Sequence, residues 1–300
     1  MYFILYGFLF FISLLPLPIL YLFSDAISFI LFRVVGYRRK IIDQNIAIAF
    51  PYKTPVERKK IAYKFHRNFT DTFIETIKCL SVRKSFYEKH CSTDLSVFDR
   101  LKEDGISCQL HGCHQFNWEW VNLHISLHMQ QPFLAIYMPI TSKSLDKLFY
   151  KMRTRFGTIM LPATDIKNSF VKWRNKLHVL ALVADQTPAN PAAGYWLNFF
   201  NRPTPFLIGP EKNAALKKEA VVFGRIIKKG RGKYSTDFEL VCTDASQLKP
   251  GELTNLYRNY IEKIITQQPE MYLWSHRRWK WEYKAAYKDK WIDNKTDAPV

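Results

Sequence analysis

The sequence predicts an α/β fold in which a mostly parallel sheet is flanked by helices and preceded by an apolar N-terminal segment. From residue 105 onward, short apolar runs alternate with segments of helical periodicity, and this alternation is typical of parallel α/β proteins. The run at residues 178–184 (HVLALVA) is continuously apolar, as expected for a strand covered on both faces. Residues 2–23 carry no charged side chain and reach the roughly 20 residues needed to cross a bilayer.

The apolar segment predicts a membrane anchor that covers residues 1–36. Only Asp25 and Arg33 interrupt it up to residue 35, while Pro16 and Pro18 predict a kinked or half-inserted helix as readily as a straight span. We do not expect a signal peptide, because no basic region precedes the run and no small-residue cleavage site closes it. The basic cluster that follows predicts a cytoplasmic location for the rest of the chain. The alternative is a buried pair of N-terminal helices.

After a basic, helix-prone stretch at residues 37–82, strands alternate with helices. Predicted strands cover residues 105–111, 132–138, 158–161 and 178–184. Predicted helices cover residues 117–129, 144–157 and 165–176, and another opens at Gly209 and Pro210, where the missing N–H of proline costs nothing.

The C-terminal third predicts a hairpin, a long helix and a tail. Two apolar runs on either side of residues 230–232 predict the hairpin. The last helix has one apolar face, which consists of Leu253, Leu256, Tyr257, Tyr260, Ile261 and Ile264. Residues 288–300 are polar and aperiodic and predict a flexible tail. Since no linker divides the chain, residues 37–287 are predicted to form one domain.

Composition predicts a polyanionic partner or surface. Lys and Arg outnumber Asp and Glu by 44 to 26, a formal charge of +18, which suits nucleic acid, anionic lipid or an acidic carrier protein. Trp274, Trp279 and Trp281 lie beside basic residues and predict anchors at a membrane interface. The five cysteines contain no C-x-x-C pair, which favours a reducing compartment. Composition alone also fits a non-catalytic, membrane-tethered basic protein that binds nucleic acid.

The strongest local motif is the segment HGCHQFNWE, which runs from His111 to Glu119 between a predicted strand and a predicted helix. Parallel α/β folds place reactive groups at such strand ends. We expect the Glu119 carboxylate to reach the His114 imidazole from the first helical turn and to fix its tautomer. His114 would then act as a general base toward a hydroxyl that attacks an activated acyl carbon, with helix N-terminal N–H groups binding the oxyanion. This chemistry needs no metal or organic cofactor.

Three other interpretations of these residues are open. His114 is a capping or core histidine if the spacing to Glu119 is fortuitous. A second hypothesis is that Cys113 acts as a thiol nucleophile, as in a thioesterase, although no cysteine-specific signature surrounds it. A third hypothesis is that His124 and His128, together with His111 or Glu119, form a metal site, although the H-E-x-x-H order is absent.

The motif resembles a conserved block of the late lipid A acyltransferases of Gram-negative bacteria. CHQFNWE at residues 113–119 is similar to the G-H-x-G-N-W-E block of that family. Four further blocks occur in the same order along the chain as in the family. One precedes the motif, YRR at 37–39 with NIAIAFP at 45–51. Three come after it: YMP at 137–139 with RTRFG at 153–157, ADQ at 184–186, and Pro269 with WSHRRWK at 274–280. The resemblance therefore extends over most of the chain.

The resemblance implies an enzyme of the bacterial inner membrane with its catalytic domain on the cytoplasmic side. It implies transfer of a fatty acyl chain from an acyl thioester, on acyl carrier protein or CoA, to a hydroxyl of a lipid A precursor. The implied fold is the glycerol-phosphate acyltransferase-like domain. His114 and Glu119 carry over as the catalytic pair. The predicted substrate-binding residues are Asn117, Arg155, Asp185, Gln186 and Arg278. No cofactor, metal or nucleic acid is implied.

Two positions depart from the family pattern. Cys113 stands where the family has a small residue before the histidine, and Phe116 stands where it usually has glycine. These changes alter the pocket, so other acceptors stay open, among them an aminolipid or a lysophospholipid. A lipid hydrolase, in which water replaces the acceptor, is a further alternative.

Overall fold

The computed structural model describes residues 2–299 as a helix-flanked sheet with two apolar helices at its N-terminus. The helices are α1 (Tyr2–Leu14), α2 (Leu17–Phe29), α3 (Arg39–Ala49), α4 (Pro55–Lys78), α5 (Lys84–His90), α6 (Ser96–Glu103), α7 (Trp118–His128), α8 (Lys143–Arg153), α9 (Ile166–Phe170), α10 (Gly209–Lys217) and α11 (Glu252–Gln267). The strands are β1 (Cys91–Ser92), β2 (Cys108–Gly112), β3 (Phe133–Tyr137), β4 (Ile159–Pro162), β5 (Val179–Val183), β6 (Gly194–Phe199), β7 (Arg202–Leu207), β8 (Ala220–Gly230) and β9 (Lys233–Cys242).

Seven strands form one sheet in the order β1-β9-β8-β2-β5-β3-β4. All neighbouring pairs are parallel except the β8–β9 hairpin. The predicted α/β class with a mostly parallel sheet is therefore confirmed. β2 and β5 lie next to each other inside the sheet, so the loops that leave their carboxyl ends are neighbours.

Most predicted elements match the structure within a few residues, including the hairpin. The helix predicted at 165–176 is the main overestimate, because α9 ends at Phe170 and a 3₁₀ turn follows. The antiparallel β6–β7 ribbon was not predicted. Its second strand contains Pro203 and Pro205. Proline has no N–H to donate to a neighbouring strand, so its presence in a sequence argues against a strand there.

The α11 helix packs the predicted face into the core, with one exception. Tyr257, Ile261 and Ile264 are buried, but Leu256 is 38% exposed and Ile265 is buried instead. Successive residues advance by about 100° around the helix axis. Tyr257 lies at the middle of the buried face, so Leu256 lies at its edge. The prediction for Leu256 was wrong.

The predicted single apolar segment consists of two helices. The helix is interrupted between α1 and α2, and Pro16 is the residue before α2. α2 continues through a π-helical turn to Val34, and the 18 residues Leu17–Val34 are long and apolar enough to cross a membrane. The part of the chain with the required length is therefore this stretch and not residues 2–23.

The segment predicted to be a flexible tail contacts the domain. Trp291 forms a bridge to Trp196, and Asp293 accepts hydrogen bonds from the buried guanidinium of Arg258, the closest at 3.1 Å. These contacts hold residues 291–293 against α11 and β6.

Candidate active site

His114 and Asp185 meet at the carboxyl edge of the parallel sheet. Gly112 at the end of β2 is in register with Val183 at the end of β5, and each site residue follows two positions later. The His114 Nδ1 atom lies 2.7 Å from Asp185 Oδ1, and the His114 backbone N–H donates to Asp185 Oδ2 at 3.2 Å. The sheet register thus brings together residues that are 71 positions apart in the chain.

This contact fixes the state of the imidazole. A carboxylate can only accept hydrogen bonds, so Nδ1 carries the proton and Nε2 keeps its lone pair. The Gln186 side-chain amide lies 3.2 Å from Nε2, where its N–H can donate to that lone pair. The His114 side chain is 24% exposed, whereas Asp185 is 1% exposed. The basic nitrogen therefore lies on the open side of the pair.

The interaction between His114 and Asp185 shifts the pKa values of both groups toward their charged forms. Burial disfavours the charged imidazolium, but the carboxylate of Asp185 outweighs it and raises the pKa of His114. Burial likewise acts against the Asp185 anion, yet its hydrogen bonds and charge interaction with His114 hold the pKa of the carboxyl below its usual value. Asp185 is consequently ionised over the physiological range, and it stabilises a proton on His114.

The predicted contact between Glu119 and His114 is wrong. Glu119 lies in the first turn of α7 and points toward the end of α8, where Arg153 donates to it from Nη2 at 2.5 Å and from Nε at 3.0 Å. This fork-shaped geometry satisfies the carboxylate. Asp185 takes the place beside the imidazole because its strand is the neighbour of β2.

Trp118 lies between the two charged pairs. Its indole N–H donates to Glu119 Oε1 at 3.0 Å, and its ring centroid is 6.0 Å from that of His114 in an edge-to-face arrangement. Glu119 and His114 therefore border the same region without a direct hydrogen bond among the described residues.

Arg153 is the arginine that pairs with Glu119, whereas the sequence singled out Arg155 of the same block as a substrate-binding residue. Arg155 lies beyond the end of α8, is exposed, and donates to the Cys79 carbonyl at 2.7 Å. Arg153 is the residue that binds Glu119. The acidic residue itself was the available signal, because a nearly buried carboxylate needs a cationic partner.

Asn117 holds the start of α7 in place. Its side-chain oxygen accepts from the backbone N–H groups of Glu119 and Trp120, and its amide donates to the buried Glu75 at 2.8 Å. Asn117 is fully buried, so it positions the helix. The two first-turn N–H groups that it binds are not free for an oxyanion, which has to find other donors.

The segment after α11 supports the backbone of the site. Leu273 N–H donates to the His114 carbonyl at 3.1 Å, and Phe116 N–H donates to the Met271 carbonyl at 3.1 Å. Asn45 of α3 in turn donates to the carbonyls of Trp274 and His276, both at 2.7 Å. The first and last blocks of the predicted motif set are thus in direct contact.

The loop that carries Asp185 is held by the same segment. Thr187 N–H donates to His276 Nε2 at 3.1 Å, which requires a neutral ring. Burial lowers the pKa of His276 to about 4, consistent with that role. Arg278 is fully buried and donates to the Pro205 carbonyl at 2.9 Å, and its charge helps to lower the pKa of Asp185.

Other sequence-based interpretations are not supported by the geometry. Burial raises the pKa of the Cys113 thiol well above its usual value, so it is a poor nucleophile. His111, considered as a partner of His124 and His128 in a metal site, is buried on β2, where its ring contacts Gln109. Trp274 is completely buried and Trp279 nearly so, hence their predicted role as interfacial anchors was wrong.

Comparison with known sequences shows that the protein is an acyltransferase, and it also identifies the family. The chain belongs to the bacterial lipid A biosynthesis acyltransferase family, whose model matches residues 1–281. It is 23% identical over 278 residues to a lipid A biosynthesis lauroyltransferase of Escherichia coli (strain K12), covering 91% of this chain and 89% of that protein. The family predicted from the ordered blocks is confirmed.

Proposed function

We propose that the protein transfers a fatty acyl chain from an acyl thioester to a hydroxyl of a lipid A precursor, with His114 as general base. The supporting observation is the 2.7 Å contact between His114 Nδ1 and Asp185, which leaves Nε2 as the basic atom on the exposed side. We further propose that the helix-flanked sheet is a glycerol-phosphate acyltransferase-like domain.

The reaction follows from that arrangement. Nε2 of His114 removes the proton of the acceptor hydroxyl as its oxygen attacks the thioester carbonyl carbon. Asp185 stabilises the imidazolium that forms. When the tetrahedral intermediate collapses, the C–S bond breaks, and the imidazolium returns its proton to the leaving thiolate. The Gln186 amide lies 3.2 Å from Nε2, and we assign it a donor role toward the developing oxyanion.

Glu119 remains a predicted catalytic residue, with a changed mode of action. It would act through its ion pair with Arg153, which fixes the guanidinium at the rim of the site. The fixed cation could bind a phosphate of the acceptor, since guanidinium groups recognise phosphate well. Arg155, Asn117 and Arg278 are assigned supporting roles, because each donates a hydrogen bond to a backbone carbonyl or to a buried carboxylate.

Acyl carrier protein is the proposed donor carrier. The formal charge of +18 favours an acidic carrier, although CoA offers the same thioester. The relative from Escherichia coli is named a lauroyltransferase that acts in lipid A biosynthesis, which supports a lipid A precursor as acceptor. An aminolipid or a lysophospholipid is the alternative within the same chemistry.

We propose that α1 and α2 are embedded in one leaflet and that the domain lies on the cytoplasmic face of the inner membrane. α2 and the π-helical turn that follows it pack along α4: Tyr21 donates to Glu75 at 2.6 Å, and Phe32 of the turn stacks on His66 with ring centroids 3.8 Å apart. The outer surface of the two helices is apolar, and its exposed side chains include Phe3, Ile4, Phe8, Phe11, Leu22 and Phe29.

Charges at the middle of α2 argue against a full crossing. Asp25 lies near the centre of the 18-residue stretch Leu17–Val34 and binds Arg231 of the β8–β9 turn at 2.8 Å. Arg231 also binds Asp71 of α4 at 2.6 Å. A perpendicular α2 would carry this hairpin turn to the bilayer centre, at a cost of at least about 3 kcal/mol per charge. An orientation parallel to the surface avoids that cost.

A reconstituted assay tests the function. Purified protein in lipid vesicles is supplied with acyl carrier-bound or CoA-bound acyl chains and with a lipid A precursor, an aminolipid or a lysophospholipid, and the products are identified by mass spectrometry. We expect acylated lipid A precursor, and loss of product with His114→Ala while membrane binding persists. Free fatty acid in place of acylated lipid would instead indicate a hydrolase. Full turnover by His114→Ala would refute the proposal.

A further inference from the structure

Two histidines and a glutamate converge on the side of the domain where α5 meets α7. His124 and His128 are one helical turn apart on α7, with ring centroids 4.8 Å apart. Glu88 of α5 faces both: its carboxylate oxygens lie 3.0 Å from His128 Nε2 and 3.8 Å from His124 Nε2. One ligand atom from each residue lies within 4.8 Å of the other two.

From this geometry we propose a binding site for a divalent ion of the Zn²⁺ type, with Glu88, His124 and His128 as ligands. Two imidazole nitrogens and a carboxylate oxygen are a common zinc ligand set. With metal–ligand distances of about 2.0–2.1 Å, tetrahedral coordination separates ligand atoms by about 3.3 Å. Glu88 Oε1 lies 3.0 Å from His128 Nε2 and Glu88 Oε2 lies 3.8 Å from His124 Nε2, and one ligand atom from each residue lies within 4.8 Å of the others. Rotation of the carboxylate and an approach of the two rings would therefore bring the three atoms to the coordination distance. A water would complete the coordination.

The deepest ligand is already oriented. His124 is nearly fully buried, and its Nδ1 lies 3.1 Å from the hydroxyl of Thr93, which accepts from Thr236 of β9 at 2.9 Å. A hydrogen bond at Nδ1 directs the lone pair of Nε2 outward, as in many metal sites. At 3.8 Å, Nε2 is too far from Glu88 for a hydrogen bond, which leaves it available to a metal.

A metal here would join two helices without touching the reacting atoms. α5 already packs on α7 through Phe86 and Trp120, whose ring centroids are 4.9 Å apart. The ion would connect the same helices nearer the C-terminal end of α7, while His114 and Glu119 lie at the opposite end. We therefore assign the site to stabilisation of α7, independently of the proposed acyl transfer.

Metal binding is measured on the tag-free full-length protein in detergent, by calorimetric titration with ZnCl₂ and by metal analysis after dialysis. We expect one equivalent of zinc with a micromolar or lower Kd, and no comparable binding of MgCl₂. His128→Gln and Glu88→Gln should each weaken binding at least 10-fold. His90→Gln and Glu103→Gln serve as controls, because these residues lie outside the cluster, and both should bind zinc normally.

A second measurement guards against variants that fold poorly. In the unaltered protein, zinc should raise Tm, and Co²⁺ should produce the visible absorption of a four-coordinate site. Zinc binding that persists unchanged in the Glu88 and His128 variants would overturn the site. Absence of stoichiometric zinc binding and of a Tm shift in the unaltered protein would do the same.

Discussion

Asp185 accepts two hydrogen bonds from His114, one from Nδ1 at 2.7 Å and one from the backbone N–H at 3.2 Å. A single carboxylate thereby fixes both the position of the backbone and the orientation of the ring. Because Asp185 is buried, the interaction is little screened by solvent. The pair therefore acts as one unit, and changing either member should remove most of the base catalysis.

Asp185→Asn should lower kcat by about 100-fold or more. An asparagine carbonyl can still accept from Nδ1, but the amide cannot stabilise the imidazolium and favours the wrong tautomer. Turnover is measured under saturating acceptor, with membrane binding and Tm recorded in parallel. Asp165→Asn, which alters an exposed carboxyl away from the site, is the matched control and should be fully active. Near-normal turnover by Asp185→Asn would exclude the pair as the catalytic unit.

Activity should decline as the pH falls through the raised pKa of His114. The neutral imidazole is the proposed base, and although burial opposes the charged form, Asp185 raises the pKa of His114 overall. Removing the carboxylate leaves the burial effect alone, so Asp185→Asn should move the acidic limb of the residual activity to lower pH. The check is a comparison of the two pH–kcat profiles. An unchanged midpoint would show that another group controls the acidic limb.

The parallel sheet could be predicted from the sequence, whereas the partner of His114 could not. Strands such as β5 have a local signature, a continuous apolar run. The choice between Glu119 and Asp185 depends on which strands are neighbours and in which register. Glu119 is only five positions from His114 in the sequence, yet the β2–β5 pairing places Asp185, 71 positions away, against the ring.

The arginine that pairs with Glu119 was missed for a similar reason. The resemblance directed attention to Arg155, but α8 ends at Arg153 and the chain then turns. Arg153 lies on the last helical turn and faces α7, while Arg155 points toward the end of α4. Helix boundaries are uncertain by a few residues in sequence-based prediction, and side-chain direction changes with them.

The Glu119–Arg153 ion pair should contribute both to stability and to turnover, and a double-mutant cycle separates the two. Glu119→Gln or Arg153→Met alone leaves the other partner unpaired in a site where Glu119 is nearly buried, at a cost of about 3 kcal/mol or more. The double variant removes both charges and should regain much of that stability. Stability is measured by chemical denaturation in detergent.

Measuring turnover shows whether the Glu119–Arg153 ion pair also contributes to acyl transfer or only to stability. If Arg153 binds the acceptor, the double variant should remain poorly active despite its recovered stability, with the loss mainly in kcat/KM for the phosphorylated acceptor. Recovery of activity together with stability would limit Glu119 to a structural role. Lys151→Met, which changes an exposed cation on the same helix, should leave both quantities nearly unchanged.

Both ends of the α1–α2 segment should be accessible from the cytoplasmic side. A cysteine added before Tyr2 and a Val35→Cys substitution mark the two ends; Val35 is exposed, whereas four of the five native cysteines are buried. Labelling with a membrane-impermeant maleimide is compared between inverted and right-side-out vesicles. Because Asp25 is tied to Arg231 at the middle of α2, we expect both cysteines to react only in inverted vesicles. Reaction of the N-terminal cysteine only in right-side-out vesicles would establish a full crossing, and would require the Asp25–Arg231 contact to open in the membrane.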